Sequence, residues 1–393
     1  MTLTFPPSFT FGTSTSAGQI ETAFGHDWEG IRARDGTVFG RTTDHELKVQ
    51  NDIGIISSLA PNYRMSLMWS KLQREAYARF DPVAQAHYHQ LLTGLRRANV
   101  SVMMVLHHFS NPLWFAGSGG WAFEKNIDSW CDYARKVVDE FGGYVSSWNT
   151  FNEPNLYATL GFMLGEFPPF RRNILMARRV IRNMGKAHDL LYDYIKEKYP
   201  DTSVGISHNC VVFSAENVLG KLTASFADMW YMDYMPRHFL KSDFFGMSYY
   251  ARIGFDPMPL TMLYTPGKMK KSGKAHDDIW EYYPSGLYEC MERYWKLFRK
   301  PIVITENGIC TRDDSLRQQA IRDYMKELAR AIENKIEVQA YYHWSTWDNF
   351  EWTLGPSFKF GLYGCDVQTM ERVKRPSADL YSKLAHEHVI DVS

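Results

Sequence analysis

The chain has 393 residues, with 44 basic and 44 acidic side chains that leave no formal net charge. This balance excludes the strongly basic surface that nucleic acid or an anionic membrane attracts, and no apolar run is long enough to predict a membrane-spanning helix. A minimal α/β barrel needs roughly 250 residues, so the length predicts one barrel domain, residues 1–393, with enlarged loops.

Eight apolar, strand-like runs alternate with longer amphipathic stretches along the chain. Repeated strand and helix alternation predicts an α/β fold, a (β/α)8 barrel in which parallel strands form a closed inner wall. The predicted strands are Phe9–Ala17, Asn62–Trp69, Ser101–Phe109, Val145–Asn152, Ser203–Asn209, Asp243–Tyr250, Pro301–Glu306 and Val338–Ser345.

Most of the intervening stretches carry apolar residues at spacings of three and four, which predicts amphipathic helices. Two Pro- and Gly-rich segments, Leu164–Phe170 and Phe255–Gly273, come after predicted strands, and on a barrel they would form walls of a substrate site. The predicted helices are Asp44–Leu59, Pro82–Ala98, Glu124–Phe141, Ile174–Lys198, Pro284–Arg299, Leu316–Asn334 and Pro376–His388.

Two glutamates stand at the carboxyl ends of predicted strands. Glu153 precedes Pro154, and Glu306 precedes Asn307 and Gly308, residues that end a strand. Either glutamate alone could be a surface residue or a helix cap. Since the carboxyl ends of barrel strands gather around one site, the two together suggest a facing pair. Glycoside hydrolysis requires such a pair, one acid and one carboxylate.

Six motifs stand in order along the chain: Phe9–Glu21, Tyr63–Ser70, Trp148–Pro154, Phe245–Tyr250, Ile304–Gly308 and Trp344–Trp352. Together they resemble glycoside hydrolase family 1, the β-glucosidase family, over nearly the whole chain. The resemblance implies the same barrel and a retaining, exo-acting β-glycosidase that uses no metal and no organic cofactor.

The resemblance also implies distinct roles for residues in these motifs. Glu306 would be the nucleophile and Glu153 the general acid and base, with Arg64 and Tyr250 beside the nucleophile. A fixed guanidinium at Arg64 would keep Glu306 ionised, while a structural ion pair and ordinary barrel packing are the alternative roles of Arg64 and Tyr250. Asn152 would bind the sugar 2-hydroxyl, a contact that strengthens in the transition state.

A second set of residues matches the sugar-binding positions of the family. Of the neighbours His107 and His108, one should face the barrel interior and the other the helices, and we assign His108 to the sugar. Trp344 would lie under the sugar ring, Trp280 on the leaving-group side and Phe360 near the 6-hydroxyl. The set comprises Gln19, His108, Trp344, Glu351, Trp352, Trp280 and Phe360.

Two departures from the family pattern concern the surroundings of the carboxyl groups. Ser248 stands where the family usually has an asparagine, which predicts the loss of one polar contact near the nucleophile. The chain is also shorter than most members of the family, which predicts trimmed loops and a more open side for the leaving group.

The expected partner is a small-molecule β-glycoside or a short oligosaccharide, with β-glucosides, β-galactosides and β-fucosides as candidates. A carboxylate at Glu351 would repel a 6-phosphate at close range, whereas Lys359 is a weak signal for a phosphorylated sugar. A 6-phospho-β-glycosidase, a transglycosidase and a catalytically silent sugar-binding barrel are the alternative hypotheses. The presence of both glutamates disfavours the silent barrel.

Cysteines and the N-terminus predict a cytoplasmic protein. The first residues lack both the charged and the apolar segment of a secretory signal. The five cysteines are odd in number and widely spread, which is typical of reduced thiols and not of a disulfide framework or a zinc site. The basic run Lys268–Lys274 is short and isolated, and it predicts a solvated loop.

Overall fold

A closed barrel of eight parallel strands forms the centre of the molecule. The computed structural model describes residues 1–215, 217–255, 275–366 and 368–393. Each strand pairs with its neighbours in sequence, and the last pairs with the first, which confirms the predicted (β/α)8 fold. The strands are β1 Thr10–Ser14, β2 Asn62–Ser66, β3 Ser101–His107, β4 Val145–Asn152, β5 Ser203–Ala215, β6 Phe244–Phe255, β7 Ile302–Asn307 and β8 Val338–Trp344.

One long helix follows each barrel strand in sequence. Local signals mark several starts: the Asp81 carboxylate accepts hydrogen bonds from the Val83 and Ala84 amides, and Pro82 occupies the first turn. In the described part of the chain, no helix is long and apolar enough to cross a membrane. The helices are α1 Val49–Leu59, α2 Pro82–Arg97, α3 Ile127–Phe141, α4 Ile174–Lys198, α5 Val218–Asp228, α6 Ser285–Phe298, α7 Asp314–Glu333 and α8 Pro376–Glu387.

Two short antiparallel pairs lie outside the barrel. Thr2–Thr4 pairs with Val389–Asp391, which joins the beginning of the described chain to its end. Tyr363–Cys365 pairs with Arg372–Lys374 in the segment between β8 and α8.

Strands β5 and β6 extend further than predicted. They remain paired beyond the barrel, from Val212 opposite Arg252 to Ala215 opposite Phe255. Apart from Phe255, the predicted loop Phe255–Gly273 lies outside the described residues, as does the basic run Lys268–Lys274.

Helix α5 was not among the predicted helices. Its buried positions are Gly220 and Ala224, whereas Val218, Leu219 and Leu222 are exposed. Since its large apolar residues face outward, the sequence lacks the inward stripe from which an amphipathic helix is predicted.

Candidate active site

A cavity opens at the carboxyl ends of the barrel strands, with a volume of ≈ 910 Å³ including its mouth. All predicted site residues except Arg64 line it, and Arg64 lies behind them, fully buried. The strand ends therefore bring residues from distant parts of the chain into one place. The predicted residues that line the cavity are Gln19, His108, Asn152, Glu153, Tyr250, Trp280, Glu306, Trp344, Glu351, Trp352 and Phe360.

Glu306, near the end of β7, is held by two neighbours. Arg64 Nη1 donates to its Oε1 at 2.6 Å, and the Tyr250 hydroxyl donates to its Oε2 at 2.8 Å. Arg64 is itself fixed, because its Nη1 donates to Ser14 Oγ at 3.1 Å and its Nη2 to Asn152 Oδ1 at 2.5 Å. Burial raises the pKa of Glu306, and the Arg64 guanidinium and the Tyr250 hydroxyl oppose that rise.

Glu153 follows β4 with a left-handed backbone conformation, φ 45°, which an L-residue with a side chain adopts only at a cost. Burial, and then the neighbouring Glu306, raise the pKa of Glu153 to about 8. The guanidinium of Arg64 favours the negative charge on Glu306, whereas burial beside Glu306 favours the proton on Glu153.

Asn209, in the extended β5, also belongs to the site, although it was not predicted. Its Nδ2 donates to Glu153 Oε1 at 2.9 Å, and its Oδ1 accepts from the Tyr231 hydroxyl at 2.7 Å. With its oxygen toward the Tyr231 hydroxyl, the Asn209 amide presents its NH2 group to Glu153. The signal in the sequence was a polar residue at the carboxyl end of the predicted strand Ser203–Asn209.

Ser248 lies on the acid's side of the pair. Its hydroxyl is 2.8 Å from Ser207 Oγ, and its hydrogen bond to Glu153 lowers the pKa of that carboxyl. The serine at this position therefore has a polar contact with Glu153.

Polar groups that line the cavity form two separate sets of hydrogen bonds, one at Asn152 and one at Gln19. Since Asn152 Oδ1 accepts from Arg64, its Nδ2 faces His108 Nε2, at 3.0 Å. Gln19 Nε2 donates to Glu351 Oε2 at 2.9 Å. Gln19 Oε1 and His108 Nδ1 find no hydrogen-bond partner among the described residues, which leaves an acceptor and a ring nitrogen for sugar hydroxyls.

His107 and His108 face opposite directions, as alternation predicts. His107 Nε2 donates to Asn111 Oδ1 at 3.0 Å, and the Trp121 indole nitrogen lies 3.3 Å from the same ring nitrogen. Burial lowers the pKa of His107 to about 4 and that of His108 well below its ordinary value. Both rings are therefore neutral at physiological pH.

Aromatic rings line much of the cavity. His108 is stacked near Trp344 and Trp352, at centroid distances of 5.9 and 6.1 Å. Tyr250, Trp280 and Phe360 lie within 5.6 to 6.1 Å of one another and pack in one cluster with Trp344. Flat apolar surfaces of this kind suit the C–H faces of a sugar ring.

Asp277 holds the loop that carries Trp280. Its Oδ1 accepts from the amides of Ile279 at 2.7 Å and Trp280 at 2.5 Å, and its Oδ2 accepts from that of Cys310 at 3.2 Å. Burial raises the pKa of Asp277 to about 7. The sequence showed no pattern that distinguishes this aspartate from others in loops.

The distribution of charge bears on phosphorylated sugars. Arg34 is the cation among the described lining residues, and it pairs with Glu166 at 3.0 Å. Lys359 pairs with Asp348 at 3.6 Å and does not line the cavity. Burial, and then Glu306, raise the pKa of Glu351 to about 8, so the predicted repulsion of phosphate is weaker at neutral pH than a full charge produces.

A closed barrel with two buried carboxyl groups at the carboxyl ends of its strands meets the requirement of glycoside hydrolysis for such a pair. The sequence model of glycosyl hydrolase family 1 matches residues 1–235 and 238–390. The chain belongs to this family, and it is a glycoside hydrolase.

Known proteins of similar sequence are named for several different activities. The chain is 26% identical to β-glucosidase A of Acetivibrio thermocellus, over 97% of this chain and 98% of that protein. It is 30% identical to a chloroplastic galactolipid galactosyltransferase of Arabidopsis thaliana, over 90% of this chain but 58% of that protein. A solved β-glycosidase from Pyrococcus horikoshii is 29% identical and superposes with a TM-score of 0.88, covering 100% of this chain and 97% of that one.

Proposed function

We propose that the protein is a retaining, exo-acting β-glycosidase that hydrolyses terminal, non-reducing β-D-glycosides, with β-glucosides preferred and β-galactosides and β-fucosides as further substrates. One observation supports this activity above all others. Arg64 and Tyr250 bind Glu306, while burial and the charge of Glu306 keep Glu153 protonated. A nucleophile and an acid are thereby present together.

In the first step, a Glu306 oxygen attacks the anomeric carbon and forms the glycosyl ester. The bond to the leaving-group oxygen breaks, and the proton of Glu153 passes to that oxygen. In the second step Glu153, now a carboxylate, takes a proton from water, and the water oxygen displaces Glu306. Two inversions restore the β configuration, and both carboxyl groups return to their initial states.

Contacts in the cavity support the assignment of the sugar-binding side. Gln19 and Glu351 are hydrogen-bonded to each other, and such a pair can bind adjacent hydroxyls in a bidentate manner. Asn152 lies between Arg64 and His108, next to the acid, where a 2-hydroxyl would be recognised. Trp344 supplies the surface under the ring.

Transfer of the glycosyl group to an alcohol is a second candidate function. It uses the same covalent intermediate, with an acceptor hydroxyl in the place of water. The 30% identity to a protein named as a galactosyltransferase favours its consideration. Glu351 is expected to repel a phosphate only weakly. A 6-phospho-β-glycosidase is nevertheless disfavoured, because Lys359 pairs with Asp348 and does not line the cavity.

The proposal also includes a single catalytic domain, residues 1–393, that acts in the cytoplasm. The five cysteines are free, and four of them are buried, which is consistent with a reducing compartment. A molecule with these thiols should unfold at the same temperature with and without a reductant, and a large difference would contradict this part of the proposal.

A panel of nitrophenyl β-glycosides (gluco, galacto, fuco, manno and 6-phosphogluco) tests the substrate. We expect the highest kcat/KM for the glucoside and none for the 6-phosphate. Proton NMR of the first product tests the stereochemistry, for which we expect the β anomer before mutarotation. An α anomer would overturn the retaining mechanism, and added alcohols would reveal transfer as alkyl glycosides.

A further inference from the structure

An apolar groove leads away from the catalytic cavity. It shares Leu156, Asn209, Val211 and Ile253 with that cavity, and its volume is ≈ 690 Å³ including its mouth. The walls come from the helical segment after β4, from the extended ends of β5 and β6, and from α5. Large apolar side chains predominate among them: Met163, Leu164, Phe213, Phe226, Trp230 and Phe255.

The groove begins on the side of the acid. Asn209, which donates to Glu153 at 2.9 Å, lines both the cavity and the groove. Leu156 lines both as well, on the short helix Pro154–Ala158 that directly follows Glu153. Since Glu153 protonates the leaving-group oxygen, the leaving group lies next to the entrance of the groove.

The chemistry of the groove favours an aliphatic ligand over a second sugar. Among the described residues that line it, none carries a charge. Two of its polar residues, Asn209 and Tyr231, are hydrogen-bonded to each other. A sugar in this groove would leave most of its hydroxyls without partners, whereas a hydrocarbon chain needs none.

The apolar surface continues beyond the groove. Phe226 lines the groove and is 49% exposed, and on the same helix Leu219 and Leu222 are 64% and 65% exposed. Scattered apolar residues are normal on a surface, but a contiguous group beside a binding groove marks a site for an apolar ligand. A chain longer than the groove would thus still contact apolar side chains.

We propose that this groove binds the aliphatic chain of an amphiphilic β-glycoside, an alkyl or acyl glycolipid, while the catalytic cavity holds the sugar. This inference rests on the proposed glycosidase function and specifies the class of leaving group. The groove then contributes binding energy from a part of the substrate that does not react.

A series of n-alkyl β-D-glucosides with two, four, six and eight carbons tests the inference, each at concentrations where it is monomeric. A fully buried methylene increases binding by about fourfold, so we expect kcat/KM to rise at least about tenfold from ethyl to octyl glucoside. A value that does not change with chain length overturns the inference.

Two variants test where the aliphatic chain of the substrate binds. Thr223→Lys places an ammonium group in the groove, and Phe226→Ala removes part of its wall. Either should reduce the octyl-to-ethyl ratio of kcat/KM about fivefold or more. Leu190→Gln is the matched control, since Leu190 is 45% exposed on α4 and does not line the groove, and its ratio should equal that of the wild type. An unchanged ratio in both groove variants would mean that the aliphatic chain binds outside the groove.

Nitrophenyl β-glucoside separates this inference from the function on which it rests. If the wild type hydrolyses nitrophenyl β-glucoside but its kcat/KM does not change along the alkyl series, only the assignment of the groove is rejected. No hydrolysis of any β-glycoside rejects the glycosidase function itself.

Discussion

At the scale of single residues, the two carboxyl groups differ in what surrounds them. Glu306 has a guanidinium and a phenol within hydrogen-bond distance, and Glu153 has an amide and a like-charged neighbour. Cationic and hydrogen-bonding neighbours stabilise a carboxylate, whereas burial beside another carboxylate stabilises the acid. These surroundings support the proposed division of labour, with Glu306 as the nucleophile and Glu153 as the acid.

Replacement of Tyr250 by Phe tests the first of these surroundings. The change removes the hydrogen bond from the hydroxyl to Glu306 Oε2. Because a hydrogen bond to a charged group contributes about 1.5 to 3 kcal/mol, kcat for an aryl β-glucoside should fall roughly 10- to 100-fold. Steady-state kinetics measure this, and a kcat within twofold of the wild type would show that the contact has no catalytic role.

Asn209 and Ser248 should tune the pH profile. Each donates a hydrogen bond that lowers the pKa of Glu153, so its removal should raise that pKa further. In Asn209→Ala and in Ser248→Ala, the alkaline limb of the kcat/KM profile should therefore move to higher pH than in the wild type, where Glu153 has a pKa of about 8. A shift of the limb toward acid in either variant would contradict this role.

At the scale of the elements, the sequence predicts the barrel well because two patterns are strong: continuous apolar runs for the strands, and apolar residues at spacings of three and four for most of the helices. Parallel strands are continuous apolar runs, and the predicted run Val145–Asn152 coincides with β4. The prediction fails where the pattern changes. Beyond Asn209, β5 continues with partly exposed residues such as Phe213, and α5 has its large side chains outside.

Strand ends carry the two predicted carboxyl groups of the site, whereas the roles of Asn209 and Asp277 were not predicted. Glu153 and Glu306 follow apolar runs, which marks them in the sequence. Asn209 and Asp277 act through neighbours, Glu153 and Trp280, that are distant in sequence or carried by a loop. Asn209 ends a predicted strand, but its partner Glu153 follows from tertiary contacts alone, and no local pattern distinguishes Asp277.

Close contact between β7 and β8 provides a test at this scale. A Cβ at Gly308 would lie 2.0 Å from the main-chain oxygen of Trp344. Gly308→Ala should therefore displace a strand end of the site and lower the free energy of unfolding by about 1 to 3 kcal/mol, with a loss of activity. Denaturation curves measure the first effect and aryl glucoside hydrolysis the second.

Gly54→Ala is the control for this substitution. Gly54 lies within α1 and has open space around the Cβ position, so alanine should raise the stability by up to about 1 kcal/mol. Equal effects of the two substitutions would mean that the contact between the strands is not tight.

At the scale of the whole molecule, the buried carboxyl groups couple stability to pH. Burial raises the pKa of Glu351 to about 8, above the value of about 4.3 in an unfolded chain. Between these two values the native state binds more protons than the unfolded state. The stability therefore falls as the pH rises through this window, and the loss is complete above pH 8.

Glu351→Gln removes that titration while a carbonyl oxygen can still accept from Gln19. The variant should be more stable than the wild type by about 1 to 3 kcal/mol at pH 9, with a smaller difference at pH 5. Thermal denaturation at several pH values measures this difference, and Glu197→Gln, an exposed change on α4, should show none. A difference that shrinks from pH 5 to pH 9 would contradict the burial effect.

The assignment of Glu306 as nucleophile and Glu153 as acid is tested most directly by the anomeric configuration of the products formed with azide. In Glu306→Gly, azide should occupy the place of the missing carboxylate and yield an α-glycosyl azide. In Glu153→Ala, azide should instead attack the glycosyl ester on Glu306 and yield a β-glycosyl azide. NMR of the two products distinguishes the anomers. Reversed configurations, or full hydrolytic activity in Glu306→Gly, would contradict the account.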